Sequence, residues 1–280
     1  DLQMARREED LDFAPIREIA ICTGTSSTIE YTESAALEER TEDESNHKGD
    51  EIDGCKDEDV IRFSCFNPNG IRLDQVQAQM QEMLDNWIDI QGFAEVNVNM
   101  LNVKTRQNFT ETVKRMHRNT RTVWSTSFIT SPGEFKPGGT GLVTTGRAAT
   151  RVTKSGYDRM GRWCYQVLGG KGKRDVLLIC VYNCCEDTTQ RDGTNTAFYQ
   201  QKVMLLEERR DPAPRKHFEK DLLAFVRKMK RANGNITPII MGDWNAEAHK
   251  ETARELYLEF GLVDVFRQWF PVDHDFKTYF

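Results

Sequence analysis

Ile236-Thr237-Pro238-Ile239-Ile240-Met241-Gly242-Asp243-Trp244-Asn245 runs from an apolar stretch through a glycine to a carboxylate and an amide. Residues 236–241 have the length and composition of a buried strand. Gly242 lets the backbone pass close to a neighbour, while Asp243 points outward where the strand ends. Sites in α/β proteins are assembled at such strand ends. The same pattern recurs upstream. Residues 61–66 alternate as a strand and stop at the turn-forming Asn67-Pro68-Asn69-Gly70. Residues 88–94 form a short apolar strand closed by Glu95, and residues 175–182 end in Tyr182 followed by Asn183. One polar residue at a strand end is more often a turn or cap than a functional group. The weight therefore rests on the set.

Helices fill the gaps. Val76, Met80, Met83, Leu84, Trp87 and Ile88 keep helical spacing on one face. Residues 104–119 read as a second helix with Lys114, Arg115 and Arg118 on a basic face, and 122–129 as a strand. A run of short strands opens at Gly138. Residues 162–168 and 175–182 read as a hairpin joined through 169–173. Residues 196–209 and 216–230 are helical, separated by Pro212 and Pro214. A short helix near 250–258, a strand near 262–266 and a further strand at the chain's last residues complete the reading. Strands alternating with helices, together with hairpins, indicate a mixed α/β domain.

Charge divides the chain of 280 residues. Residues 1–59 carry 19 acidic and 6 basic side chains, whereas the remainder carries 25 acidic and 32 basic. The acidic segment has two aromatics, Phe13 and Tyr31, and too little apolar surface to offset chain ordering. It is expected to be largely a disordered or linker segment, with the folded domain spanning 60–280. The basic balance of that domain suits a polyanionic partner. No run of about 18 apolar residues is present, so no membrane span is expected. The charged start of the chain does not resemble a secretory signal, which points to an intracellular protein, nuclear or cytoplasmic. Seven cysteines, an odd number without a CxxC pair, indicate reduced thiols rather than a disulfide framework or zinc site. Cys180, Cys184 and Cys185 lie close together in sequence, on and just after a strand. The five histidines, His47, His117, His217, His249 and His274, fit no motif and read as surface residues.

Carboxylate and amide oxygens are hard ligands, suited to Mg2+ or Mn2+ rather than zinc. Such an ion offsets charge developing in displacement at phosphorus, and a second carboxylate can deprotonate a water. At this set of residues the sequence resembles the endonuclease/exonuclease/phosphatase superfamily. Phe66-Asn67-Pro68-Asn69-Gly70-Ile71 is similar to its first motif and Gln91-Gly92-Phe93-Ala94-Glu95 to its strand with a metal-binding glutamate. Gly138-Gly139-Thr140-Gly141-Leu142 resembles its glycine hairpin, Val181-Tyr182 its tyrosine strand, and Gly242-Asp243-Trp244-Asn245 its Gly-Asp-Phe-Asn motif. Five pieces in order cover nearly all the chain after residue 60. The texture, including Gly161-Arg162-Trp163, is most similar to endonuclease domains of non-LTR retroelements.

The resemblance implies a four-layer α/β sandwich of two mixed sheets flanked by helices. It implies that Glu95 binds Mg2+ or Mn2+ with help from Asn67, that Asp243 orients the attacking water and that Asn245 stabilises the transition state. Tyr182 would contact the phosphate, and Asn69 stands where some relatives carry aspartate. The expected activity is DNA endonuclease, the alternatives being hydrolysis of a small phosphoester or lipid head group and a non-catalytic remnant. The family's closing Ile-Asp-Tyr and Ser-Asp-His motifs have no match, which implies a domain lacking its last strands and of low activity as it stands.

Overall fold

The alternating segment at 61–66 and the apolar run ending at Gly242 both become strands, and each anchors its own sheet. The computed structural model describes residues 19–23, 28–29, 56, 60–130, 133–185, 195–246 and 254–265. The first sheet is built from β1 (Ile19–Thr23), β2 (Thr28–Ile29), β3 (Ile61–Phe66), β4 (Ile90–Ala94), β5 (Thr120–Ser125) and β6 (Thr140–Thr145), in the order β2-β1-β3-β4-β6-β5. β1, β3 and β4 run parallel, and β6 pairs antiparallel with both β4 and β5. The second sheet holds β7 (Val152–Tyr157), β8 (Trp163–Leu168), β9 (Val176–Tyr182) and β10 (Thr237–Asp243), in the order β10-β9-β8-β7. β9 and β10 are parallel and the other pairs antiparallel, so both sheets are mixed.

Side-chain alternation sorts each strand's residues between two faces. Phe63, Cys65, Ile90 and Leu142 of the first sheet meet Cys164, Leu178, Cys180 and Met241 of the second in one core seam. On the outer face of the first sheet lie α1 (Leu73–Asp85) and α2 (Val103–Met116). Val76, Met80, Met83, Phe109 and Val113 pack there on Phe93, Trp124 and Val143. On the outer face of the second lie α5 (Pro214–Ala232) and α6 (Arg254–Phe260). Phe218, Leu222, Val226 and Leu256 pack there on Trp163, Leu177, Ile179 and Val181. The short α3 (Gly146–Thr150) follows β6, and α4 (Ala197–Glu207) follows β9. This is the expected four-layer sandwich. Among the described residues no helix is long and apolar enough to cross a membrane.

Several details depart from the sequence reading. β1 and β2 fall inside the acidic 1–59 segment, where no strand was expected; the rest of that segment, Lys56 aside, lies outside the described residues. α1 ends at Asp85, so Trp87 sits beyond it with φ of 54° and is exposed rather than on the buried face. Residues 262–264 form no strand, because they follow directly from the turn that ends α6. The further strand expected at the chain's last residues lies outside the described part. β7 and α3 were not anticipated: β7 is an edge strand exposed along most of its length, so it carries no apolar alternation.

Candidate active site

The parallel strands β3, β4, β9 and β10 all deliver their C-terminal ends to one end of the sandwich. Asn67 follows β3 and Glu95 follows β4 in the first sheet. Tyr182 and Asp243 close β9 and β10 in the second, in register with each other. Two sheets therefore contribute to one cluster. Asn67 Nδ2 donates to Glu95 Oε2 at 3.2 Å and to Asp243 Oδ2 at 2.7 Å. Asp243 Oδ1 accepts the backbone N–H of Asn245 at 2.9 Å.

Local sequence makes this geometry. Gly242 has φ of 138°, and a Cβ there would lie 2.0 Å from the Val181 carbonyl oxygen, so only glycine lets β10 approach β9 at this point. Among the described residues six non-glycine residues have positive φ, and four of them, Asn69, Glu95, Asn97 and Asn245, belong to this end of the sandwich. Asparagine tolerates the left-handed region, but a glutamate there is uncommon. Such backbone strain concentrates at functional sites. Glu95 is fixed from both sides: its carbonyl accepts the Gly70 N–H at 2.9 Å, and the next residue, Val96, donates to Gly139 O at 3.3 Å.

Tyr182 is 4% exposed and stands beside Glu95. Burial, then the Glu95 charge, raises its pKa, so the phenol stays protonated and acts as a donor. Asn245 directs Nδ2 to Asn183 O at 2.8 Å, while Cys185 Sγ donates to Asn245 Oδ1 at 3.2 Å. The Cys185 thiol, exposed on one side, is pushed up first by its partial burial and then by the charges of Asp243 and Glu95, so it remains neutral. Asn69 turns away from the carboxylates. Its backbone N–H donates to Asn67 Oδ1 at 2.8 Å, and its side-chain oxygen accepts from Asn97 Nδ2 at 3.4 Å.

Two residues of this assembly escaped the sequence reading. Asn97 links the Asn69 turn to the glycine hairpin, accepting the Gly138 N–H on Oδ1 at 2.7 Å. Arg215, in the first turn of α5, donates Nη1 to Cys184 O at 3.0 Å and Nη2 to Asn245 O at 2.8 Å. It ties the loops after β9 and β10 together. The cysteines separate: Cys180 lies in the core seam, Cys184 is buried against Gln201 at 3.4 Å, and Cys185 is exposed at the cluster. His117 and His217 are half-buried rather than on the surface. His117 caps α2, and His217 Nδ1 lies 2.7 Å from Arg210 Nη2. His47, His249 and His274 fall outside the described residues.

Among the described residues no three of His, Cys, Asp and Glu converge as a metal cage. Among the described residues the cluster instead offers two carboxylates whose hydrogen-bond donors are the Asn67 amide and the Asn245 backbone N–H, both neutral. Mg2+ takes one or two carboxylates and keeps several waters, so this oxygen-rich set fits a small hard cation.

No family model matches the chain, and no curated protein matches it by sequence. Its structure is similar to the AP endonuclease LMAP from Leishmania major, with 14% identity and a TM-score of 0.53 over 75% of this chain and 69% of that one. It also matches the human Nocturnin catalytic domain with bound sulfate, with 15% identity and a TM-score of 0.44 over 70% of this chain and 66% of that one. A third match is the 3′ phosphatase NExo from Neisseria bound to product DNA hairpin, at 16% identity and a TM-score of 0.45 over 74% of this chain and 73% of that one. The chain thus spans about two-thirds of the length of the first solved structures it matches. The fold is that of the endonuclease/exonuclease/phosphatase proteins.

Proposed function

We propose that this chain is a phosphodiester hydrolase that uses Mg2+ or Mn2+ and acts on DNA. The observation that carries the reading is the single amide of Asn67 reaching both Glu95 and Asp243, which come from different sheets. A turn or capping role explains each residue alone. It does not explain why carboxylates from two sheets share one neutral donor.

Glu95, with Asn67, would hold the ion, which when bound offsets negative charge developing on the phosphoryl oxygens. Tyr182, kept protonated by burial and by the Glu95 charge, would donate its hydroxyl to a phosphate oxygen. Asp243 has Oδ1 fixed by the Asn245 N–H, so its carboxylate is held ready to take a proton from a water. General-base assistance of this kind is worth about 10²–10⁴-fold. Asn245 commits one Nδ2 proton to Asn183 O and retains a second for a phosphoryl oxygen. Asn69 positions Asn67 rather than touching the ion. DNA as substrate is supported by the basic balance of residues 60–280 and by a fold shared with an AP endonuclease.

The test is nicking of supercoiled plasmid with Mg2+ or Mn2+ at protein excess, so that slow turnover registers, comparing the chain with Asp243→Ala. Nicking that the variant loses supports the reading. Without nicking, phosphate release from small phosphoesters would point to that substrate class, and release from none to a non-catalytic scaffold.

A further inference from the structure

We propose that Phe128, Tyr157 and Arg159 form a stacking platform for unpaired bases of a single nucleic-acid strand, beside the catalytic cluster but outside it. The proposal rests on the nucleic-acid reading of that cluster. Phe128 is 36% exposed and Tyr157 49% exposed, and their ring centroids lie 6.1 Å apart with the planes tilted at 45°. The Arg159 guanidinium sits 5.2 Å from the Phe128 ring centroid. An exposed aromatic pair backed by a guanidinium is what unpaired bases stack on, and every base has a face to offer.

The platform is rigidly presented. The Phe128 N–H donates to Arg159 O at 3.0 Å, Ser127 and Met160 form a β-bridge, and Ser125 Oγ donates to Asp158 O at 2.9 Å. Met160 itself is buried against Met204 and Leu205 of α4. Three solvent-facing side chains are therefore carried on a buried anchor. An incidental exposed aromatic would need no such support.

Its place in the fold is equally specific. Ser125 pairs with Thr140, and Thr140 with Ala94, so Phe128 leaves the sheet at the same end as Glu95, two strands away. Strand spacing makes that lateral offset about 10 Å. Tyr157 pairs with Cys164, and Cys164 with Cys180, two residues before Tyr182. Next to the aromatics a groove of about 570 Å³ runs between α2, β5 and β7, lined by Arg106, Lys114, Trp124, Phe128, Ser155 and Tyr157. Its acidic member, Glu111, lies 3.9 Å from Arg115. Cations along the groove and aromatic faces at its rim match a phosphate backbone carrying exposed bases better than they match an acidic or apolar protein surface.

The experiment measures binding of the full chain in EDTA, by fluorescence anisotropy, to a labelled oligothymidylate and to an equally long phosphodiester strand without bases. The chain should bind the base-bearing strand on the order of tenfold tighter or more. Phe128→Ala combined with Tyr157→Ala should bring the ratio near one and leave binding of the baseless strand unchanged. Phe128→Tyr with Tyr157→Phe should retain the preference, and thermal melts should match across variants. A ratio near one in the unmodified chain, no binding of either strand, or a preference that survives the double alanine change overturns the platform. Hydrolysis of bis(p-nitrophenyl) phosphate, too small to span both sites, reads the Asp243 cluster separately, so failure of one reading is distinguishable from failure of the other.

Discussion

Lys136 has no exposed surface, and its Nζ donates to the carbonyl of Ile129. Burial pulls its pKa down from 10.5 to about 8. The unfolded chain keeps that proton to a higher pH than the folded one. Between about pH 8 and pH 10.5 the unfolded state therefore binds more protons, and this group makes stability rise with pH. Denaturant midpoints across that window should rise less steeply for Lys136→Met than for the unmodified chain; equal slopes would refute the assignment. Arg215 makes a prediction about positioning. A lysine cannot reproduce its two-pronged contact with Cys184 O and Asn245 O. Arg215→Lys should lower turnover about tenfold, the scale of one lost charged hydrogen bond, while the melting temperature moves by only a few degrees. Unchanged turnover would mean that the two loops hold themselves. Asn67, Glu95, Tyr182 and Asp243 were legible as candidates in the sequence because each closes or follows an apolar strand, which fixes where its backbone must emerge. Arg215 was not, because its target is a pair of backbone carbonyls and it is one of many basic residues on its helix. Asn97 had a faint signal, an asparagine two residues after Glu95, but nothing local tied it to Gly138.

At the scale of elements, legibility followed burial. β3, β4, β9 and β10 were readable because the core imposes apolar composition on them, and β9 is buried along its whole length. β7 escaped because it sits at a sheet edge with polar residues on both faces, and β1 escaped because five residues were averaged into a strongly acidic segment. Helix ends obey chemistry that is also local. Asn102 caps α2, its Oδ1 accepting the N–H groups of Lys104 at 3.0 Å and Thr105 at 3.3 Å. Replacing it by alanine orphans those donors and should cost about 1 kcal/mol in denaturant unfolding, whereas aspartate should keep nearly all of it. Equal losses for alanine and aspartate would show that the cap contributes through backbone conformation alone. Because α2 forms one wall of the groove beside Phe128, the alanine variant also separates groove integrity from the platform's own side chains.

For the molecule as a whole, the decisive relation is the spacing of the two sheets, since Asn67 and Glu95 belong to one and Asp243 to the other. Gly92 sits in the seam that sets it. A Cβ at Gly92 would lie 2.9 Å from Met241 Cε, 3.1 Å from Cys180 Sγ and 3.2 Å from Cys65 Sγ. Met241 can swing its methyl aside for one extra carbon. Three carbons would also press on the two thiols and push the sheets apart. Gly92→Val should therefore cost about 1–3 kcal/mol of stability, as overpacked cores do. It should also weaken hydrolysis beyond what the unfolded fraction explains, because a seam opened near β4 and β10 lengthens the contact between Asn67 and Asp243, now 2.7 Å. The compensating change is Met241→Ala, which vacates the volume the valine needs. If the pair regains stability and turnover together, sheet spacing controls the site. If stability returns while turnover stays low, Met241 contributes to the cluster in its own right, and the seam is not what sets the distance.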